Sequence, residues 1–556
     1  MQMVKSVKRA NRRKQLDRLA QEYFGYDELR PGQTAAIQSV LNGRDTLAVM
    51  PTGSGKSAIY QLAAMELPGP TVVISPLIAL QKDQVDTIVE QDLGGAALVN
   101  SQIKPEARQQ AFTELKAGEL EFLFLAPEQF NNPETLAQLQ AAQPSLIVVD
   151  EAHCVSQWGH DFRPDYLRLN QVIEALGHPT VLALTATAAP PVRTEILERL
   201  GMQEPLVIVQ GFDRPNLFLQ VNRFQTEAEK QTELIKQVVK AEKPGIVYAA
   251  TRKRAEEITQ ALVEQGLRSV CYHAGLKATE REQAQTAFMQ DEVEVMVATT
   301  AFGMGIDKPN VRFVFHADIS DSIDAYYQEI GRAGRDGYPA KVVLFYNPDD
   351  LNLRRFFAGS GQVNLAQVTQ VAEVVQQASE PLSLKTVQQE TQLSQSKVAL
   401  AVRRLEEAGV VTLLPTGEIA ACEEVSEIHE LEPALQQAVT AQDCYQQFER
   451  SRLEMIRSYA EVHNCRREFL LNYFGEATAK VCANCDNCLA GITTAIDDGL
   501  RPYQLNSRVV HNSWGEGTVM RYEADKVVVL FDQVGYKTLS VGLALLHRLL
   551  RRVPTD

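Results

Sequence analysis

Two runs of branched apolar residues, each ending in a turn loaded with chemistry, constrain this chain more than any other feature. Asp45-Thr46-Leu47-Ala48-Val49 leads into Met50-Pro51-Thr52-Gly53-Ser54-Gly55-Lys56-Ser57 and then into the helix-compatible Ala58-Ile59-Tyr60-Gln61. The order is strand, glycine loop, helix. In such a loop backbone N–H groups cradle phosphates, so Thr52 to Gly55 are read as the cradle, with Lys56 reaching the β/γ oxygens and the Ser57 hydroxyl ligating magnesium. The second run, Leu146 to Val149, delivers Asp150-Glu151-Ala152-His153 to the carboxyl end of a sheet, where ligands of α/β folds sit. One carboxylate can hold the cation and its neighbour can orient water; Asp150 is assigned the first role and Glu151 the second.

Around these turns the chain alternates short apolar runs with longer helical patterns, which predicts a parallel α/β domain over residues 1–205. Its other strand ends carry Ser75-Pro76-Leu77, Leu125-Ala126-Pro127-Glu128 and Leu184-Thr185-Ala186-Thr187. Small hydroxyls and exposed amides at such loops suit phosphodiester oxygens, so Ser75 is a candidate nucleic-acid contact. Directly after the acid pair comes Trp158-Gly159-His160-Asp161-Phe162-Arg163. Two readings stand for its large side chains. They stack on bases of a single strand, each worth about 1–3 kcal/mol, or they pack a domain seam.

A second α/β domain is predicted over 206–357, with Gly245-Ile246-Val247-Tyr248 and Val297-Ala298-Thr299 as strands. It closes on Gln328-Glu329-Ile330-Gly331-Arg332-Ala333-Gly334-Arg335. Arg332 and Arg335, three residues apart, are expected on one helical face, projecting at a nucleotide held by the first domain. An arginine inserted in this way is worth about 10³–10⁵ in rate where phosphoryl transfer uses one.

These residues closely resemble one family, the RecQ DNA helicases of superfamily 2. The resemblance covers roughly 20–357 and 446–490, and its most specific marks are Phe24-Gly25-Tyr26 with Arg30-Pro31-Gly32-Gln33, the Asp150–Arg163 segment, and Phe302-Gly303-Met304-Gly305-Ile306-Asp307. Met50 stands where the general phosphate-loop pattern has Gly, a position superfamily 2 helicases commonly relax. The resemblance implies that Tyr26 and Arg30 sandwich adenine while Gln33 reads its edge. It makes Arg335 an arginine finger with Arg332 and Gln328 beside it. It gives Trp158, His160, Phe162 and Arg163 contact with single-stranded DNA, relayed to the acid pair, and it implies 3′→5′ movement driven by ATP and Mg²⁺.

The late cysteines carry separate weight. Cys465 opens an amphipathic pattern, and Cys482, Cys485 and Cys488 form a tight knuckle. One sulfur from a helix and three from a knuckle make a closed structural Zn²⁺ site with no open position for catalysis. RecQ helicases carry the same helix and knuckle after the motor, so a zinc module is placed at 446–492. Cys154, Cys271, Cys422 and Cys444 have no such spacing and are read as buried thiols.

Between motor and zinc module, 361–445 is expected to form a winged-helix-like insert: two helices, Ser383–Thr391 and Ser394–Leu405, then a β-ribbon from Val410 to Ile419. With four Lys/Arg against twelve Asp/Glu, the insert contacts DNA only locally, through Lys397, Arg403 and Arg404, or serves as a packing module. The tail, 503–553, reads as a small β-barrel. It resembles the Tudor-like end of UvrD/PcrA-type helicases, which implies a protein partner such as RNA polymerase or a repair factor.

The whole is expected to be two tandem RecA-like domains, the insert, the zinc module and the barrel. A net charge of −15 does not exclude nucleic acid, because binding needs only a local basic channel. Lys5 to Lys14 is basic, and a transit segment, a DNA-contacting arm and a solvated first helix are all compatible with it. No apolar run approaches a membrane span and no secretory signal is visible, so cytoplasmic residence near the chromosome is expected. The reading is an ATP-dependent 3′→5′ DNA helicase of repair and recombination acting on single-stranded and tailed duplex DNA. A DNA-stimulated translocase that remodels protein–DNA complexes is the alternative.

Overall fold

The computed structural model describes residues 14–30, 32–76, 78–156, 163–303, 308–359, 363–378, 380–414, 418–422, 447–476, 481–492, 501–523 and 525–553. Trp158, His160, Phe162, Met304 to Asp307, Cys444 and most of the basic N-terminal stretch lie outside these. Residues 1–348, 456–506 and 520–526 form one compact unit, and 349–455, 507–519 and 527–556 another.

Two all-parallel sheets make up most of the first unit. The first contains β1 (Thr46–Val49), β2 (Thr71–Ile74), β3 (Ala96–Val99), β4 (Phe122–Leu125), β5 (Leu146–Val149), β6 (Thr180–Thr185) and β7 (Leu206–Val209), in the order β3-β4-β2-β5-β6-β1-β7. All four residues of β1, β2, β4 and β5 are buried, as a central strand covered by helices on both faces requires. Parallel register brings the strand ends level: Val49 pairs with Thr185 and Ile74 with Val149. The residues that follow, Met50, Ser75, Asp150 and Ala186, therefore emerge along one edge.

The second sheet contains β8 (Leu217–Arg223), β9 (Gly245–Tyr248), β10 (Ser269–Tyr272), β11 (Val295–Ala298), β12 (Phe313–His316) and β13 (Ala340–Tyr346), in the order β10-β11-β9-β12-β13-β8. Its core packs Val247, Val297, Phe313 and Phe315 against Leu234, Ile258 and Leu262 of the covering helices. The cysteine-bearing segment joins this sheet directly, through a parallel bridge from Leu219 to Cys485 and a Val221 N–H donated to Asp486 at 2.9 Å.

In the second unit, helices Leu365–Gln376, Leu384–Thr391 and Gln395–Glu407 surround one apolar core, and β14 (Val411–Leu413) pairs antiparallel with β15 (Ile419–Ala421). The second and third helices and the ribbon are those expected from the sequence; helix Leu365–Gln376 is an addition to them. Towards the C-terminus, β16 (Arg508–His511), β17 (Gly515–Glu523), β18 (Lys526–Phe531), β19 (Gly535–Ser540) and β20 (Leu550–Arg552) form a sheet in the order β19-β18-β17-β16-β20.

Three expectations need correction. Helix Ile323–Ile330 stops before the two arginines, which sit in turns interrupted by Gly331 and by Gly334 at φ +53°, so they do not share a helical face. Ser75 was placed on a DNA-facing surface but is 2% exposed, because the end of β2 lies beside that of β5. Of the thiols outside the cluster, Cys154 is buried, whereas Cys271 and Cys422 are partly exposed.

Candidate functional site

The phosphate loop is shaped by its glycines and gripped by the segment upstream. Gly53 and Gly55 adopt φ +77° and +76°, and Gly55 caps helix Lys56–Ala64. A Cβ on Gly55 would come within 2.7 Å of Gln33 Nε2, so the loop needs glycine there both for its backbone and for the approach of Gln33. Gln33, 1% exposed, donates to the Ser54 and Gly55 carbonyls at 3.0 and 2.9 Å and accepts from the Arg30 N–H at 2.7 Å. Both ends of its amide thus bond the loop and the segment before it. The Arg30 guanidinium donates to the Gly53 carbonyl, and Tyr26 stacks on Phe24 with ring centroids 5.7 Å apart. Lys56 Nζ donates to the Met50 and Pro51 carbonyls at 3.1 and 3.3 Å.

Asp150 is half-buried beside Glu151. Burial and the Glu151 charge push its carboxyl up to about 7, against the pull of Lys56. Burial alone would raise Glu151 as well. The hydrogen bond and charge of His153, with Lys56 and Arg332, outweigh it and hold Glu151 below its ordinary value. His153 Nδ1 lies 3.3 Å from Glu151 Oε2 and 2.9 Å from Thr185 Oγ1. Thr185 in turn bonds the Thr187 backbone. The strand end at Thr185 is therefore linked to Glu151 by two contacts, through His153.

Three contacts hold Arg163 and Tyr166 to Cys154, Pro76 and Asp150. The Arg163 N–H donates to the Cys154 carbonyl at 3.0 Å, its guanidinium donates to the Pro76 carbonyl at 3.1 Å, and the Tyr166 hydroxyl donates to the Asp150 carbonyl at 3.1 Å. Nothing about Tyr166 stood out in the sequence. Its signal is only its place, downstream of the acid pair in the 3₁₀ turn Pro164–Arg168.

From the second sheet, Arg335 lays its stem on the phosphate loop: a Cβ on Gly53 would meet Arg335 Cγ at 3.4 Å. Arg332 is 3% exposed, and its charge reaches Glu151. Gln328 is half-buried in the last turn of helix Ile323–Ile330. A cavity of about 250 Å³ runs between the sheets, lined by Arg30, Pro51–Ser54, Arg214, Asn216 and Arg335. Arg214, another residue the sequence did not single out, braces the arginine turn by donating to the Ala333 and Gly334 carbonyls at 2.8 and 2.9 Å.

The four cysteine sulfurs Cys465, Cys482, Cys485 and Cys488 lie within 4.8 Å of one another, with Cys482 and Cys488 3.9 Å apart. A tetrahedron of sulfurs around zinc has edges of about 3.8 Å, given Zn–S bonds of about 2.3 Å, so the set fits that ion. Hydrogen bonds from Cys465 and Cys485 hold the Cys482 thiol well below its usual range. The cluster is locked to the motor by the helix it caps, Arg466–Tyr473. Arg467 donates to Asp213 Oδ1 at 2.8 Å and to the Leu217 carbonyl at 2.7 Å, and Phe474 stacks on Phe212 at 4.6 Å. Tyr327 donates to the Phe212 carbonyl at 2.6 Å, and Tyr473 to Asp324 at 2.5 Å.

A phosphate loop facing an arginine-bearing second sheet across one cleft is the arrangement of a two-lobed nucleotide-binding protein. Comparison with known proteins narrows that class. Residues 30–195 match the DEAD/DEAH box helicase family, 229–337 the helicase conserved C-terminal domain and 425–489 the RecQ zinc-binding family. The chain is 37% identical over 467 residues to the ATP-dependent DNA helicase RecQ of Pasteurella multocida, an alignment covering 84% of this chain and 61% of that protein. It is 38% identical over 360 residues to the probable ATP-dependent DNA helicase RecS of Bacillus subtilis, covering 65% of this chain and 72% of that one. Among solved structures, the DUF1998 helicase MrfA bound to DNA shares the fold at a TM-score of 0.52 and 18% identity, over 74% of this chain and 62% of that one. The chain belongs to the RecQ family of DNA helicases. It spans about three fifths of the length of the RecQ relative from Pasteurella.

Proposed function

We propose that this chain is an ATP-dependent DNA helicase that moves 3′→5′ on a single strand and opens tailed duplex DNA during repair and recombination. The observation that carries the reading is the placement of Arg335 on Gly53, with Arg332 acting on Glu151: the second lobe contributes charge to the site the first lobe builds.

In this reading Thr52 to Gly55 cradle the phosphates, Lys56 leaves the loop carbonyls for the β/γ oxygens, and Arg335 neutralises charge developing on the γ-phosphate. Tyr26 and Arg30 flank the base. Gln33 acts at one remove, holding the loop in the shape the phosphates need. Ser57 and Asp150 would supply hard oxygen ligands for magnesium, which would contribute neutralisation of phosphate charge. Glu151, held ionised by His153, accepts the proton of the attacking water. His153 passes the state of that site to Thr185 and Thr187, and the loop closed by Arg163 and Tyr166 passes contact with DNA to Asp150. Trp158, His160, Phe162 and Arg163 are the proposed DNA contacts.

Zinc at the four cysteines supports the arginine turn through Arg467 and Arg214. The domain boundaries proposed are 1–205, 206–357, 361–445, 446–492 and 503–553, with the last a docking module for a polymerase or repair protein. Among the described residues no helix is long and apolar enough to cross a membrane, and a chromosome-associated, cytoplasmic setting is part of the proposal. Unwinding of a fluorescently tailed duplex tests the reading. A 3′ overhang supports ATP-dependent strand separation and a 5′ overhang does not; equal activity on both, or none on either, contradicts it.

A further inference from the structure

Helix Ile78–Glu90 follows the Ser75-Pro76 turn and meets the phosphate-loop helix through one side-chain amide. Gln84 Nε2 donates to the Ser57 hydroxyl at 3.2 Å, and Gln84 Oε1 accepts from the Tyr60 hydroxyl at 2.8 Å. Tyr60 is 3% exposed, and burial followed by the charge of Asp150 raises its phenol above the ordinary value, so it remains a protonated donor. A serine hydroxyl has one proton to give and two lone pairs to offer. With one lone pair taken by Gln84, the other is left for a cation, and the rotor that would otherwise spin is held.

The same stretch of chain touches the other oxygen ligand. The Ser75 hydroxyl donates to Asp150 Oδ2 at 3.5 Å, Gln81 donates to the Ser75 carbonyl at 2.8 Å, and Arg163 donates to the Pro76 carbonyl at 3.1 Å. Ser57, in the first turn of helix Lys56–Ala64, and Asp150, at the end of β5, are thus both hydrogen-bonded to residues between 75 and 84. That stretch is in turn held by the loop proposed to meet DNA.

We propose that Gln84 is a positioning residue: oriented by Tyr60, it sets the Ser57 hydroxyl for the nucleotide-bound divalent cation and ties that hydroxyl to the helix beginning at Ile78. The proposal rests on the reading of Ser57 as a cation ligand. Its mechanical consequence is that a shift of stretch 75–84 on DNA contact is felt at both cation ligands together. A packing role alone would not require the amide to spend both its ends on the helix that carries Ser57.

The test is binding of a fluorescent, non-hydrolysable ATP analogue to the full-length chain, titrated with MgCl2 and repeated in EDTA, for wild type, Gln84→Leu, Tyr60→Phe, Ser57→Ala and the Ser57→Ala/Gln84→Leu pair. Losing one such hydrogen bond is expected to raise the Mg²⁺ concentration for half-maximal binding about five- to tenfold in Gln84→Leu. Tyr60→Phe should move it less in the same direction, the pair should be no worse than Ser57→Ala, and affinity in EDTA should stay near wild type. A wild-type Mg²⁺ requirement in Gln84→Leu, or an equal loss of nucleotide with and without Mg²⁺, overturns the proposal while Ser57→Ala still shows the shift. No shift in Ser57→Ala overturns the underlying reading of Ser57, and the proposal with it.

Discussion

Asp150 carries a measurable energetic signature. Its carboxyl, pushed up to about 7 by burial and by Glu151, keeps a proton in the folded metal-free protein over a pH range where the unfolded chain has lost it. The contribution to stability is therefore full below about pH 4, the ordinary carboxyl range, and is lost as pH rises through about 7. In Asp150→Asn, which is neutral throughout, thermal melts in EDTA should match wild type near pH 4.5 and lie a few degrees higher at pH 8. Parallel curves for the two proteins would mean that Asp150 carries no buried-charge cost. Lys56→Ala should lower ATP turnover by at least about a hundredfold while leaving zinc content at wild type, since its ammonium serves the phosphates and no part of the cysteine cluster. Turnover retained in that variant would remove Lys56 from the site.

At the scale of elements, the zinc helix acts as a strut. Arg466–Tyr473 is capped by Cys465, and Arg467 reaches Asp213 and the backbone at Arg214 and Leu217. Arg214 then holds the turn that presents Arg335. Arg467→Ala should reduce the rate of ATP turnover by about tenfold while zinc content falls by much less, because Arg467 holds Asp213 and the backbone beside the arginine turn and adds only one hydrogen bond to the Cys482 sulfur. Metal analysis beside steady-state kinetics checks this; zinc loss in step with activity would make Arg467 a part of the metal site instead.

The sequence made the strands, the phosphate loop, the acid pair and the cysteine knuckle readable because each is encoded within a few consecutive residues. Arg214, Arg467, Tyr166 and Gln84 were not readable, since their partners lie far along the chain and only tertiary packing assigns them. The helical spacing of Arg332 and Arg335 misled for a related reason: Gly331 and Gly334 end the helix, and the carbonyls of that turn bond to Arg214. Ser75 misled because strand order in the sheet, which a local pattern does not reveal, puts its hydroxyl against Asp150.

For the whole molecule, the proposed function requires that the two parallel sheets close on a nucleotide and that DNA contact be coupled to that closure through Arg163, Tyr166 and the acid pair. An ATPase whose loop only packed a seam would turn over at one rate whatever else was present. The direct measurement is steady-state ATP hydrolysis by the zinc-loaded, magnesium-supplied chain with and without a single-stranded oligonucleotide. The account predicts a rate at least about tenfold higher with the oligonucleotide, and identical rates with and without it would contradict the account.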